Sequence, residues 1–304
     1  MRVALTGSSG LIGRSLVGAL EARGDEVVVF VRPNSPAGHR AAVRWNPDVG
    51  DVNEDDLRRV GNFDAVINLA GAGIGDRRWS STIRRAILRS RVDATSLLVR
   101  VLRDHSGGAH LVNASAIGWY GSRGEERLEE TSMAGSGFLA DVCQQWERAA
   151  AAHAIDGSPT TYLRTGIVLC AEGGSLAKQL PLFKLGLGGP LGGGEQWMSA
   201  VTLADHLRAV LWILDHELIG PVNVTSPQPS RNRDFSRAVA ATLRRPAFVR
   251  VPAVALHLAL GREMADELVL ASQRVVPTRL SDSGFVFEHD SLEAMVGWAV
   301  HGGV

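Results

Sequence analysis

Apolar residues follow two rhythms along the first two thirds of the chain. Short uninterrupted runs at Arg2–Thr6, Glu26–Val31, Ala65–Leu69, His110–Ala114, Thr161–Leu169 and Pro221–Thr225 predict strands covered on both faces. Between them, apolar residues three and four apart predict helices over Leu11–Arg23, Thr82–Arg103, Leu139–Ala152 and Leu203–Asp215. In the first helix Ile12, Leu16 and Leu20 repeat at four-residue spacing, and Gly24 suits a left-handed cap. The last opens on Thr202-Leu203-Ala204-Asp205, which resembles a capping box. Strands alternating with helices are the sequence form of βαβ units, so the fold class is α/β with a doubly wound parallel sheet.

The rhythm then changes. From Gly186 to Gly194 six of nine residues are glycine, with Pro190 among them, so this stretch reads as a mobile loop. Beyond Ser226, short helices at Arg233–Leu243, Ala253–Leu260, Glu263–Leu270 and Ser291–Val300 surround brief strands near Phe248–Val251 and Phe285–Phe287, a small α+β lobe. The expected division is a main domain over 1–169 plus about 200–226, interleaved with a smaller substrate or lid lobe over about 170–199 and 227–304. The glycine-rich loop is the expected lid.

Composition narrows the function classes. The 304 residues are 45% apolar and 21% charged, enough for a sizeable core. Thirty-two basic side chains balance thirty-two acidic ones, so no global field recruits nucleic acid or an anionic membrane. Cys143 and Cys170 are the only cysteines and lack CxxC spacing, which excludes a disulfide scaffold or a cysteine zinc site and fits a reducing cytoplasm. No apolar stretch is long enough for a signal peptide or a membrane span. The nine histidines are scattered singly, and His216-Glu217 lacks a second histidine at zinc spacing, so no metal is expected. Neither a Gly-x-Ser-x-Gly elbow nor a Gly-x-x-x-x-Gly-Lys loop occurs.

Leu5-Thr6-Gly7-Ser8-Ser9-Gly10-Leu11-Ile12-Gly13 sits where the first strand ends and the first helix begins. Gly7 permits a tight turn, Gly10 lets backbone approach a diphosphate, and Gly13 lets helix pack on strand. The helix-start amides then face an anion. A Rossmann-like dinucleotide site using Gly7, Ser9, Gly10, Leu11, Ile12 and Gly13 is therefore expected. At the end of the second strand stands Arg32, with no acid until Asp48. A carboxylate there would accept from the ribose hydroxyls of NAD, whereas an arginine suits the 2′-phosphate of NADP. The expected cofactor is NADP (NADPH).

The spacing Gly-x-x-Gly-x-x-Gly resembles the short-chain dehydrogenase/reductase superfamily. Asn68-Leu69-Ala70-Gly71 is similar to its fourth-strand motif against the cofactor's adenosine, and Asn113-Ala114-Ser115-Ala116 to the segment supplying its catalytic serine. Arg164-Thr165-Gly166-Ile167-Val168 is similar to the stretch bordering the nicotinamide. Arg78-Trp79, Ser90-Arg91, Gly118-Trp119-Tyr120-Gly121, Phe138-Leu139 with Cys143 and Trp146-Glu147, and Gly186-Leu187-Gly188-Gly189-Pro190 together resemble the atypical epimerase family proteins of that superfamily, with their C-terminal domain of unknown function. The resemblance implies cofactor contacts at Leu69, Ala70, Gly71, Thr165, Gly166, Ile167 and Val168.

The resemblance also shows where the chemistry departs. Hydride-transferring members pair a serine with Tyr-x-x-x-Lys, the lysine lowering the tyrosine's pKa. Counting back from Trp146-Glu147, those two positions hold Leu139 and Cys143. Arg91 stands where related enzymes carry a helix asparagine, a fixed cation favouring an anionic substrate. Ser115, Tyr120 and Arg91 are the expected catalytic or substrate-binding residues, although Ser115 could serve local backbone and Tyr120 could merely pack its loop. Cys143 reads as an inert buried thiol, Trp146 as core, and most of Arg77, Arg78, Arg84, Arg85 and Arg89 as solvated. Two functions follow: an NADP-dependent oxidoreductase or nucleotide-sugar epimerase-like enzyme, or an NADPH-binding sensor without turnover. A small-molecule partner is expected, with no nucleic acid, no membrane and a monomeric or homodimeric chain.

Overall fold

The computed structural model describes residues 1–36, 38–155 and 157–302. Its centre is a sheet of eight strands: β1 (Arg2–Thr6), β2 (Glu26–Val31), β3 (Ala41–Asn46), β4 (Asp51–Val52), β5 (Ala65–Asn68), β6 (His110–Ala116), β7 (Thr160–Thr165) and β8 (Gly220–Val224). Their spatial order is β8-β7-β6-β5-β1-β2-β3-β4. Every pairing is parallel except β4 against β3. From β1 the chain builds outward first through β2 and then, via β5, in the other direction, so a crevice opens at the C-terminal ends of β1 and β5.

Alternation along the strands divides the core. Val3, Leu5, Val27, Val29 and Val31 face one side, under α1 (Leu11–Arg23) and α6 (Leu203–Asp215). Ala4, Val28, Phe30 and Val66 face the other, under α2 (Glu54–Val60) and α3 (Ser81–His105). Each buried Val, Leu or Phe contributes about 1.5–3 kcal/mol relative to exposure, which is why these runs carry no polar alternation. α4 (Phe138–Ala154) lies beside α3, with Ala150 in the second core.

A third cluster of buried residues lies apart from the two sheet faces and takes in Leu169 and Ala200. Leu176, Leu180 and Phe183 of α5 (Gly174–Lys184), Phe235 and Val239 of α7 (Asn232–Thr242), and Met295, Val296 and Ala299 of α11 (Leu292–His301) pack together. α8 (Ala253–Leu260), α9 (Arg262–Leu268) and α10 (Thr278–Asp282) complete the helices used below.

Several sequence expectations need correction. The run at 161–169 is broken at Gly166, where the chain leaves the sheet and Ile167–Leu169 pairs in parallel with Ala200–Thr202. Edge strands β3 and β4 and helix α2 were hidden because Arg44 interrupts the apolar run and β3 is covered on only part of its surface. The region between Cys170 and Trp197 holds α5, whose Leu176, Leu180 and Phe183 fall on one helical face despite Pro181. Phe248–Val251 forms only a single bridge from Val251 to Leu191, and Phe285–Phe287 has no strand partner. Instead, Phe285 packs edge-on against Trp212 of α6 and against Phe287. Two strand pairs form here instead: Trp197–Met198 runs antiparallel to Ser230–Arg231, and Arg274–Val275 pairs in parallel with Arg127–Leu128. Gly186–Gly194 contains no helix or named strand.

Candidate functional site

The opening turn is built so that no side chain fits at Gly7 or Gly13. Gly7 has φ +70°, and a Cβ there would lie 2.8 Å from the Leu69 carbonyl oxygen. At Gly13 a Cβ would lie 2.2 Å from the Gly7 carbonyl oxygen, so the first turn of α1 rests directly on the loop. Gly10 occupies the N-cap, donates its amide to Gly7 O at 3.1 Å and supplies no side-chain cap. The first turn of α1 holds no acidic residue, leaving its outward amides suited to an anion.

A buried polar cluster fixes the strand ends beside this turn. Thr6 Oγ1 donates to Asn68 Oδ1 at 2.7 Å and accepts from the Leu69 and Ala70 amides. The Asn68 amide donates to Asn113 Oδ1 and Thr95 Oγ1, and Trp146 Nε1 donates to the same threonine at 3.0 Å. β1, β5, β6, α3 and α4 are thereby locked in register around the crevice.

Above it lies a cavity of about 610 Å³. On its wall are Gly7, Gly10, Leu11, Ile12, Gly13 and Leu69 from the first half, and Thr165, Gly166, Ile167 and Val168 from the end of β7 onward. Ser115 and Arg91 join them. Ser9, Ala70 and Gly71 flank the crevice without lining the cavity, and Ser9 uses its carbonyl to accept from Arg14 at 2.7 Å.

Arg32 projects from the end of β2 with its side chain 47% exposed, and donates to Asp48 at 2.7 Å and Asn46 at 3.0 Å. The first acid after β2 is therefore its partner. An exposed pair of this kind is worth only about 0.2–1 kcal/mol, so a phosphate arriving there can displace it.

Tyr120 does not reach the cavity. It is fully buried, donates to Asn223 Oδ1 at 2.7 Å and accepts from Arg164 Nη1 at 3.1 Å. Burial pushes its phenol up to about 12, against the opposing pull of Arg164. Its expected contact with substrate gives way to a core role, because the Ile117–Tyr120 turn folds the ring inward onto Leu128 and Val275.

Ser115 is the end of a longer chain of contacts. Its Oγ donates to Glu147 Oε1 at 2.7 Å. Glu147 is held by Arg164 through Nε to Oε1 and Nη2 to Oε2, both 2.9 Å. Arg164 faces Ser115 across the β6–β7 pairing and lies 3.9 Å above the Trp119 ring. Burial works against its charge, yet the Glu147 carboxylate outweighs that and raises its pKa. Glu147 had been used only to count positions in the motif, and nothing in the spacing announced its arginine partner.

The Tyr-x-x-x-Lys positions present Leu139 and Cys143 to the cavity. Burial first, and Glu147 second, push the Cys143 thiol up to about 11, so it remains protonated at neutral pH. Arg91 donates from Nη1 to the carbonyls of Ala72 and Ile87, each at 3.0 Å, and its guanidinium lies 5.0 Å from the Trp146 ring centroid. Burial lowers its pKa. Trp146 is both core and cavity wall.

The chain's overall likeness supports the local one. The family described as "NAD dependent epimerase/dehydratase family" matches residues 3–225, and a domain of unknown function (DUF1731) matches residues 251–299. The chain belongs to the NAD dependent epimerase/dehydratase family. Relatives match it almost end to end. Epimerase family protein Mb2239 of Mycobacterium bovis is 40% identical over 98% of this chain and 97% of its own length. Epimerase family protein SDR39U1 homolog, chloroplastic, of Arabidopsis thaliana is 34% identical over 97% and 87%. The crystal structure of human epimerase family protein SDR39U1 (isoform2) with NADPH superposes with a TM-score of 0.87 at 28% identity, covering 99% of each chain. The family match spans the glycine turn, Ser115 and the Thr165–Val168 segment and ends at Thr225, beside β8. Among the described residues no helix is long and apolar enough to cross a membrane.

Sequence reasoning missed what residues 197–273 contribute to the wall, since residues so far apart carry no shared motif. Trp197, Met198, Asn232, Leu268 and Gln273 line the cavity, as does Glu267, whose carboxylate accepts from the Phe138 and Leu139 amides at 2.8 and 2.7 Å. Glu267 thus caps α4 in place of Gly137, which has no side chain to do so. Asp205 lies within ligand distance of Glu288 and His289. Its carboxylate accepts from both their backbone amides and from Arg208, while Thr202 caps α6. It thus ties α6 to the segment before α11 rather than acting as the acidic half of a capping box.

His206 also lines the cavity, fully buried, with Nε2 3.2 Å from Thr165 Oγ1 and Nδ1 without a partner. Burial pushes its pKa down to about 4. His110, the first residue of β6, is pushed down to about 4 by burial first and His153 second. Both therefore bind a proton more readily unfolded, near the ordinary value of about 6.5, than folded. The unfolded state holds more protons between those limits, so stability rises with pH there, is complete above about 6.5 and is lost on acidification toward about 4. Urea denaturation across pH should show this slope, and the double variant His110→Gln/His206→Gln should flatten it. An unchanged slope in that variant would show that other groups set it.

Proposed function

We propose that this chain is an NADPH-dependent oxidoreductase acting on a small molecule held between the sheet's C-terminal edge and the second lobe. The observation that carries the reading is the glycine turn, closed to side chains at Gly7 and Gly13 yet open toward the cavity at the first turn of α1. The residues fit a dinucleotide: backbone at Gly7 to Gly13 for the diphosphate, Arg32 for a 2′-phosphate, Leu69 to Gly71 for the adenosine side and Thr165 to Val168 for the nicotinamide. The NADPH of the human relative's structure supports the choice of coenzyme. When bound, a nicotinamide supplies or accepts a hydride.

The chain's own residues do the remaining work. Ser115 presents a hydroxyl at the cavity wall whose one proton is given to Glu147 Oε1, and which must turn from Glu147 to donate to a substrate carbonyl oxygen. Arg164 holds Glu147 still. Leu191, fixed through its amide to Asn232 Oδ1 at 2.8 Å, brings the glycine-rich loop onto the wall and supports its reading as a lid. We divide the chain as the sequence suggested, with the lobe over about 170–199 and 227–304 closing the site.

Steady NADPH oxidation in the presence of a carbonyl panel tests the reading, and Ser115→Ala should reduce it at least about tenfold with NADPH affinity unchanged. A second reading, a coenzyme-binding sensor without turnover, is favoured by Leu139 and Cys143 at the Tyr and Lys positions, neither of which ionises near neutral pH. Tight NADPH binding with no oxidation across the panel would decide for it.

A further inference from the structure

Beyond the strip assigned to the dinucleotide, Ile117, Leu139, Val142, Met198, Leu268 and Val269 give the cavity wall an apolar face. The uncharged polar residues Ser199, Asn232 and Gln273 also line it, each bonded to backbone. Ionisable lining residues are few, and each is committed. Both Glu267 oxygens accept backbone amides at the start of α4. His206 is neutral and faces Thr165. Cys143 is a thiol. Among the described residues Arg91 is the sole lining residue with a fixed positive charge. It gives Nη1 to two carbonyls, and a Cβ on Gly71 would touch its Cζ at 3.1 Å, so it stands on the dinucleotide side. Arg231 and Arg274 cover the Trp197 ring but do not line the cavity, and Arg231 is tied to Glu125.

A nucleoside diphosphate brought into such a place would lose its water and meet one guanidinium, that of Arg91, whose Nη1 is already given to the Ala72 and Ile87 carbonyls beside the Trp146 ring. A neutral molecule with an apolar body gains from the same wall by burial alone.

We propose that the substrate is a small uncharged ketone or aldehyde, or the corresponding alcohol, with an apolar body seated against Leu139, Met198 and Leu268, and not a nucleoside-diphosphate sugar. This deepens the oxidoreductase reading and rests on it. It also replaces the anionic substrate suggested by Arg91 alone.

The test uses the whole protein, first titrated with NADPH. Octan-2-one, decan-2-one, acetophenone and UDP-glucose are then each titrated into the coenzyme-loaded protein by calorimetry. At least one ketone should bind below about millimolar, at least about tenfold tighter than UDP-glucose. Leu268→Asp should weaken that ketone about tenfold or more while leaving NADPH affinity within about twofold. UDP-glucose binding as tightly as the ketones, no ketone binding below about millimolar, or an unaffected Leu268→Asp would each overturn the proposal. Failure to bind NADPH would instead overturn the coenzyme reading, and ketone titration of the unloaded protein would still report on the apolar wall.

Discussion

Gly13→Ala is expected to remove dinucleotide binding while leaving a folded chain. Alanine favours helix over glycine by about 0.8–1.0 kcal/mol, so α1 itself does not object. The new methyl, however, would sit 2.2 Å from the Gly7 carbonyl oxygen and 2.9 Å from Ser8 Cα, both backbone atoms that cannot swing aside. Either the turn or the helix must retreat, and the outward amides lose the geometry they share with it. NADPH affinity should fall at least about a hundredfold, or about 2.7 kcal/mol, by fluorescence titration, with far-ultraviolet circular dichroism unchanged. Binding within about threefold of wild type would show that the coenzyme does not rely on this loop.

The largest loss of stability is expected from Arg164→Met. Arg164 and Glu147 are only 4% and 7% exposed, so solvent does little to screen what remains when one partner goes. Glu147 would keep its charge with Ser115 as its remaining side-chain donor, Tyr120 would lose a donor, and the Glu130 carbonyl another. Breaking a buried pair this way costs about 3–5 kcal/mol, which in a chain of this size lowers Tm by roughly 5–8 °C. The double variant Arg164→Met/Glu147→Gln removes both charges and should regain at least about half of that loss. If the two single losses simply added in the double variant, the pair would not be acting as a unit.

The contrast between these two sites explains how far the sequence could be read. The glycine turn was legible because each glycine answers a local demand: a tight turn, a backbone approach, a helix resting on a loop. Those demands recur wherever a strand feeds a helix over a diphosphate, so they leave a spacing. The sheet was legible for a similar reason, since strands buried on both faces must be apolar throughout. Edge strands β3 and β4 have no such requirement and were missed. The Ser115, Glu147 and Arg164 chain left no spacing either. Its members come from β6, α4 and β7, and only the β6–β7 register brings Arg164 opposite Ser115. Tyr120 was misjudged because a short turn after β6 decides whether the ring faces the cavity or the core, and a turn's direction is not encoded in residue type. Arg91 lines the wall, but its carbonyl partners follow only from the packing of α3 against the Ala72 loop, which no spacing records.

The carboxylate of Glu267 at the head of α4 has a consequence for biosynthesis. A ribosome releasing this polypeptide will have delivered the whole parallel sheet well before the residue that completes that helix terminus emerges. The Arg127–Leu128 ribbon waits equally long for Arg274–Val275. Until the final quarter arrives, the greasy wall around Leu139 and Val142 stands open, so nascent chains stalled near residue 250 should be avid clients for holdase chaperones, and completed ones should not.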